Sequence, residues 1–479
     1  MPEETIFQKP TGPSANSNPP AGPLRSEASE AGPPALPGSS QVSPQPSSPI
    51  DHGEGFFSRF SKIFKIGALL FIILTIIFSL LTFVFPKSNK TETQEATLTY
   101  WGLREDESVM KSIISDFEKE NPKIKINYIK QDLEDYREKL SVRVPNGNGP
   151  DVFRFHNTWY PMLSGILLPL PKETIERREF ENSFYDVSRK DLIKNGAIYG
   201  IPLGIDTLAL YINPKIFDLA SQEQGGTIVV PTTWQQFIES SQALTKRNIE
   251  GKIDMAGAGV GTFENVNYAP DIISLLFAQN GVYFENLDRS RPKIIDALRF
   301  YTNFALLEDN VWDQTLDSSL EVFAQGKLAM YFGYSWDYFT IKNLNPDIDF
   351  KIVPVPQLVS DKNFNIASYF AEGVSLKSKH QKEALQFMKF LARAKTQEKF
   401  YQGPFSNNNL ADQAKTAISS PFADGTFDNG LNDKLNNYLK DSINAILSGT
   451  PEESAADTLI QGYQKVMAEY ELEAPKTEN

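Results

Sequence analysis

From Ile66 to Phe85 the chain reads IGALLFIILTIIFSLLTFVF, an apolar run of 20 residues without a charge. At about 1.5 Å of rise per residue it is long enough to cross a hydrocarbon core about 30 Å thick. A buried core helix is the alternative reading. The run predicts a transmembrane segment over residues 63–85 and so divides the chain into a short N-terminal part and a large C-terminal one. Cleaved signal peptides also carry an apolar stretch. This one is too long, and it ends TFVFPKS, with bulky residues and Pro86 where a cleavage site wants small side chains. An uncleaved signal anchor is expected. Arg59, Lys62 and Lys65 precede the span and Lys87 and Lys90 follow it, so the positive-inside bias leans only slightly toward a cytoplasmic N-terminus.

Ahead of the span, residues 1–58 are dominated by Pro, Ser, Gly, Ala and Glu, in stretches such as GPPALPGSSQVSPQPSSP. Without apolar periodicity such a segment cannot offset the entropy of ordering, and it reads as a disordered tail. Residues 86–96, PKSNKTETQEA, read as a polar linker that holds the following domain off the bilayer.

The 479 residues leave room for two or three domains at about 100 to 200 residues each. With 47 basic and 60 acidic residues the net charge is −13, and no basic stripe could neutralise a phosphate backbone, so nucleic acid is not an expected partner. The absence of cysteine excludes disulfides, thiolate metal sites, a cysteine nucleophile and a lipidated N-terminal cysteine. His52, His156 and His380 lie far apart and make no metal-ligand spacing, which leaves only carboxylate calcium sites open. Neither a metal nor a cofactor is expected.

After the linker, ATLTYWGL alternates as a strand, and EDESVMKSIISDFEKENP places Val109, Met110, Ile113, Ile114 and Phe117 on one helical face before Pro122 stops it. KIKINYI alternates again. Strand, helix and strand in about 30 residues form a βαβ unit, which builds a parallel sheet and sends its loops to one edge. The alternation continues: YREKLSVRV is a short helix, PNGNGPDVFRF turns into a buried strand, and YGIPLGIDTLALYINPKIF is rich in β-formers around the polar Asp206. Helical patterns recur at 233–246, 268–279, 292–307, 380–400 and 454–471.

Several stretches, taken in order, resemble the extracellular solute-binding proteins of sugar ABC transporters, the family of the maltose-binding and multiple-sugar-binding proteins. They are LTYWG, FEKENPKIKINY, GNGPDVFRF, LSGILLPL, YGIPLGIDTLALYINPKIF, VPTTWQQFIESSQALT, FAQGKLAMYFGYSWD, IVPVPQ and EGVSLKSKHQKEALQFMKFL. Each is weak alone, and their colinear order across residues 97–470 carries the resemblance. It implies an α/β, periplasmic-binding-protein-like fold of two lobes joined by three crossing strands, with a carbohydrate held in the cleft and ABC permease subunits as partners. Lobe one would hold residues 97–205 and 357–400, and lobe two residues 206–356 and 401–475. Many family members are anchored by a lipidated cysteine. This chain has none, so the apolar helix would be the anchor, placing the binding domain outside the cell membrane and the N-terminus in the cytoplasm. Whether it feeds a permease or reports solute to a cytoplasmic partner is left open by the resemblance.

A sugar offers an apolar face of C–H groups and a rim of hydroxyls, so its site calls for flat aromatic surfaces with carboxylates and amides beside them. Trp101 ends the first strand, either as a cleft residue or as a core tryptophan capping the sheet. Asn157 and Trp159 follow the strand DVFRF, in a stretch that the resemblance places at the cleft, while Asp151 reads as a turn residue. Asp206, an isolated acid in an apolar segment, must be paired or face a wet cleft, and the resemblance puts a ligand-binding acid on that crossing. Asn267 and Tyr268 in FENVNYAP, and Tyr369 and Glu372 in SYFAEGVSL, are further ligand contacts implied by the resemblance. In FGYSWDYF, Phe332 continues a buried strand and Gly333 ends it, so that Tyr334 and Trp336 fall at the carboxyl edge, where the resemblance places an aromatic platform that stacks on a sugar face, with Asp337 beside it able to accept a hydroxyl. Trp234 reads as structural, with Thr233 as helix cap, and GAGVGT lacks the spacing of a dinucleotide loop.

The leading expectation is a binding protein that is not an enzyme. A tethered glycosidase would need two carboxyls about 5 Å apart, or about 6.5 to 9.5 Å for inversion, and a membrane sensor or scaffold is the other alternative.

Overall fold

The computed structural model describes residues 95–103, 107–133, 135–282, 284–306, 308–358, 363–401, 411–420, 422 and 431–473. The expected tail, the anchor and most of the linker lie outside these residues. Among the described residues no helix is long and apolar enough to cross a membrane.

The first sheet has the order β2–β1–β3–β14–β6, where β1 is Ala96–Gly102, β2 Ile124–Lys130, β3 Val152–His156, β6 Ile201–Pro202 and β14 Phe370–Val374. β1 pairs in parallel with β2 along its whole length, Ala96 opposite Ile124 through Gly102 opposite Lys130. The helix Glu107–Glu120 makes the crossover between them, as the apolar spacing predicts. Met110, Ile113 and Phe117 fall three and four residues apart and are wholly buried against the sheet. β3 is buried at all five positions, which suits a central strand covered on both faces.

The second sheet has the order β12–β8–β11–β10–β9, where β8 is Ala209–Ile212, β9 Lys246–Arg247, β10 Ile253–Ala258, β11 Leu328–Gly333 and β12 Lys351–Val353. β11 is buried throughout, and Phe332 stacks on Trp234 at 6.0 Å between centroids. Trp234 opens the helix Trp234–Leu244, and the Thr233 side chain caps it by accepting from the backbone of Gln236. The two-stranded ribbon of β4, Ile193–Lys194, and β5, Ala197–Ile198, stands apart from both sheets.

A third, small sheet connects the two lobes, in the order β15–β13–β7, where β7 is Asp206–Thr207, β13 Asn365–Ser368 and β15 Ala417–Ile418. β7 leads from β6 to β8, β13 leads from β12 to β14, and β15 precedes the helix Leu431–Leu447. β7 and β13 are antiparallel, with Asp206 opposite Ser368, while β13 and β15 are parallel. β8 and β6 therefore meet the crossings with their near ends. The same holds for β14, whose Phe370 lies opposite His156, and for β11, whose Gly333 lies opposite Ala209. All the strand ends that reach the crossings form two facing edges, one for each lobe.

Inside lobe one, Arg154 of β3 and Glu372 of β14 are directly opposed and enclosed, with 2% and 0% side-chain exposure. The Arg154 guanidinium donates to Glu372 Oε1 at 2.6 Å and to the Leu103 carbonyl at 3.3 Å, and the Tyr100 hydroxyl lies beside the carboxylate. Removing one member of such a pair strands a charge in the interior, which costs about 3–5 kcal/mol, whereas replacing both by apolar groups of similar volume is often neutral. Arg154→Met should lose that much in chemical denaturation, and Arg154→Met combined with Glu372→Leu should recover most of it.

Candidate functional site

The edge of lobe two at the crossings is built from the residues after β11. Tyr334 is fully buried and donates its hydroxyl to Asp271 Oδ1 at 2.5 Å. The Trp336 indole lies flat on it, 4.6 Å between centroids and 20° between planes, and is only half-buried. Tyr268 meets Tyr334 edge-on at 5.0 Å, and its hydroxyl accepts the Trp336 indole N–H at 2.7 Å. That hydroxyl in turn donates to Asp337 Oδ1 at 2.9 Å. Tyr268 adopts φ 58° and ψ 27°, the left-handed region, at the start of the helix Ala269–Gln279. For a bulky aromatic this conformation costs on the order of 1–3 kcal/mol and persists only where the surroundings impose it.

Asp206 on β7 brings the crossing to this edge. Its Oδ2 accepts from the Ser335 backbone at 2.8 Å and from the Ser335 hydroxyl at 2.6 Å, and its Oδ1 accepts from the Thr207 backbone at 2.8 Å. The carboxylate is half-buried, and the residue it accepts from, Ser335, immediately precedes Trp336.

On the lobe-one edge, Asn157, Asp191, Tyr369 and Ser419 form one polar cluster. Asp191 Oδ2 accepts from Ser419 Oγ at 2.5 Å, from the Tyr369 hydroxyl at 2.8 Å and from Asn157 Nδ2 at 3.1 Å. Burial pushes the Asp191 carboxyl above its ordinary range, against the pull of those three donors. Ser419 follows β15, and the next residue, Ser420, shares a 2.6 Å hydrogen bond with Ser274 of the lobe-two helix Ala269–Gln279. Two adjacent residues of one crossing are thus fastened to opposite lobes.

Trp336 and Asp206 are half-buried sequence-predicted site residues at the crossings, linked through Ser335, which donates to Asp206 and precedes Trp336 in the chain. Several others prove structural. Trp101, 6% exposed, packs in the lobe-one core with the Arg143 guanidinium 5.7 Å over its ring. Trp159 is 1% exposed among His156, Phe370 and Tyr136, under the Arg137 guanidinium. Trp159, expected at the cleft, is corrected to core, and of the two readings left open for Trp101 the structure gives the core one, because their strand and helical turn point them inward. Glu372 is committed to Arg154. Asn157 and Tyr369 are buried and spend their polar groups on Asp191. Asn267 is half-buried, and its Oδ1 accepts from Ser319 Oγ and the Leu320 backbone, fixing the start of the helix Ser319–Ala324. Asp337, expected to accept a ligand hydroxyl, accepts the hydroxyls of Tyr268 and Tyr331. Tyr334 is the underlay of the platform, with only Trp336 reaching its surface.

Sequence reasoning missed Asp191, which sits in DVSRKDL among charged residues typical of a solvated helix, and the half-buried Phe370 and Thr158 of the lobe-one edge. The alternation Tyr369 in, Phe370 out was the available signal. An open, polar depression lined by Asp317, Glu321, Ala324, Gln325, Leu344 and Asn345 flanks the other end of β11 and has no aromatic wall.

Burial pushes the Asp337 carboxyl up to about 6, opposed by its bonds from Tyr331, the Tyr334 backbone and Tyr268 and aided by the charge of Asp206. Its unfolded value is about 3.9, so between those two pH values the folded chain holds the extra proton and stability falls as pH rises. Asp337→Asn has no such proton. Compared by denaturant unfolding at pH 4 and pH 7, the variant should gain on the wild type by on the order of 2–3 kcal/mol as pH rises.

A family model described as bacterial extracellular solute-binding protein matches residues 100–398. The multiple sugar-binding protein of Streptococcus mutans serotype c is 25% identical over 365 residues, covering 70% of this chain and 80% of that protein. Among solved structures, the sugar-binding protein MalE of Xanthomonas citri aligns with a TM-score of 0.63 at 17% identity, over 80% of this chain and 100% of its own. An ABC substrate-binding protein of Listeria monocytogenes in complex with cycloalternan gives 0.61 at 17% identity, over 78% of this chain and 100% of its own. At these identities the structural likeness establishes the fold, the two-lobed α/β architecture with its strand crossings.

Proposed function

The chain belongs to the bacterial extracellular solute-binding proteins, and from that premise we propose that it captures a sugar or oligosaccharide between its lobes for an ABC importer. The observation that carries this reading is the half-buried Trp336 indole, laid flat on Tyr334 at the edge where the strands cross. An apolar ring face with a carboxylate beside it matches the C–H face and hydroxyl rim of a pyranose. Asp206 supplies that carboxylate, three residues before β8 begins. Phe370 and Thr158 on the lobe-one edge are the groups we assign to the opposite side of the bound sugar. Closure follows from a solute that touches both edges and so binds the closed arrangement more tightly than the open one.

Relatives named for multiple sugars, maltotriose and diacetylchitobiose support the class of solute. They are named as binding proteins, which leaves the glycosidase alternative without support. The test is a thermal-shift panel of maltotriose, mannotriose, diacetylchitobiose, polyols and sugar phosphates on the purified full-length chain, in buffer free of glycoside detergents. At least one neutral oligosaccharide should raise the melting temperature without being hydrolysed, and product formation would sink the reading. Trp336→Ala should weaken binding of that oligosaccharide by about 100-fold, since stacking and burial of an aromatic face amount to roughly 2–3 kcal/mol, with melting temperature nearly unchanged.

We further assign the apolar run 66–85 to a membrane anchor and the delivery partner to ABC permease subunits. The long tail ahead of that run is the one feature favouring a sensor. Deleting residues 1–55 should leave uptake of a radiolabelled oligosaccharide intact if the chain serves an importer, and loss of uptake with normal membrane levels of the protein would favour the sensor.

A further inference from the structure

We propose that Tyr268 and Asp337 are positioning residues, which hold the Trp336 indole in the plane where it meets the sugar and do not themselves touch it. This rests on the reading of Trp336 as the platform.

The argument is one of donors and acceptors. An indole N–H can only donate, and an ionised carboxylate can only accept. The Tyr268 hydroxyl stands between them, 2.7 Å from Trp336 Nε1 and 2.9 Å from Asp337 Oδ1. Its proton is donated to Asp337, and its lone pair accepts the indole N–H. The direction of the whole chain is set by the charge at its buried end. Asp337 is 2% exposed, and its second oxygen accepts from the Tyr331 hydroxyl at 2.9 Å and the Tyr334 backbone at 3.1 Å. Those bonds fix the carboxylate to β11 and to the ring on which Trp336 lies. Tyr268, itself 7% exposed, is held in the left-handed conformation that aims its ring at this point. Asn267 before it caps one helix and Ala269 after it begins another, so the unfavourable backbone is clamped from both sides. Together the stack below and the chain at the indole edge fix both the tilt and the rotation of Trp336, which remains half-buried.

The carboxyl that anchors the chain ionises within reach of ordinary conditions, being pushed up to about 6 by burial. The groups facing it are Tyr331 of β11, Tyr268 at the start of its helix, Tyr211 of β8, Asp206 of β7 and, on its own loop, the Tyr334 backbone. Once protonated, Asp337 must itself find an acceptor, and a Tyr268 hydroxyl that turns to accept gives up its donor role.

The test uses the full-length chain with ¹⁵N-labelled tryptophan, whose five indole signals are few enough to assign Trp336 by Trp336→Phe. In the wild type the Trp336 indole N–H should exchange slowly with solvent and its signal should move as pH passes through about 6. Tyr268→Phe, which deletes one hydroxyl, should speed that exchange at least tenfold and remove the pH-dependent shift. Asp337→Asn, which can reverse the chain by donating its amide, should remove the shift while slow exchange persists, and it serves if Tyr268→Phe does not fold. Maltotriose binding by calorimetry should weaken about tenfold in Tyr268→Phe. An indole signal that is the same in Tyr268→Phe and wild type overturns the proposal. So does an altered signal with unchanged maltotriose affinity, in which case loss of binding in Trp336→Ala still upholds the platform. If Trp336→Ala binds maltotriose as wild type does, or no oligosaccharide binds the wild type, the platform reading falls and the proposal falls with it.

Discussion

Two short strands, Asp206–Thr207 and Asn365–Ser368, lie side by side in antiparallel pairing, and the architecture depends on that pairing. Each is the end of one sheet and the approach to the other. Because they run in opposite directions through the same place, β6 and β14 must present their near ends to the crossing from one side, and β8 and β11 from the other. Parallel-sheet proteins bind ligands beyond the ends of their strands, and here the crossing decides which ends face each other. The Leu208 backbone is held by Ile366 and by the Asn365 side chain at 3.0 Å each, so the crossing is pinned on both sides of its narrowest point.

Among the buried acids of the two lobes, Glu372, Asp337 and Asp191 are each compensated in their own way. Glu372 has a guanidinium in register on the neighbouring strand, and its role is to keep lobe one together. Asp337 and Asp191 have only neutral donors, hydroxyls, an amide and a backbone N–H, and both carboxyls are pushed upward by burial. A full counter-ion would hold such a group charged over the whole physiological range. Neutral donors instead make the hydrogen-bond pattern contingent on the proton, and both of these acids stand at a lobe edge, unlike the ion pair in the sheet interior.

Much of the architecture was legible because its periodicities are strong. The crossover helix with Met110, Ile113 and Phe117 at helical spacing, the buried strand DVFRF and the strand end at Gly333 all follow from pattern and turn chemistry. The site was harder to read because residue type does not report which way a side chain points. Trp101, Trp159 and Trp336 carry the same indole, and only the third lies on a loop edge with a ring beneath it. The acids divide likewise. Asp206 and Glu372 each sit in an apolar run, and what separates them is a partner, Arg154, that lies 218 residues away along the chain. Asp191 looked like an ordinary surface acid because its partners, Asn157, Tyr369 and Ser419, arrive from three distant segments. The apolar run at 66–85, the plainest signal in the sequence, lies outside the described residues.

The fastening of Ser419 to Asp191 and of Ser420 to Ser274 sets the scale of any movement at the third crossing. As long as both hydroxyl bonds hold, a rotation between the lobes cannot be spread along this strand and must be absorbed in the few torsions between two neighbouring α-carbons. A joint of that kind has an axis and little slack. Its angular range is bounded by how far one peptide unit can swing before a hydroxyl lets go, so the two serines act as a stop as well as a pivot.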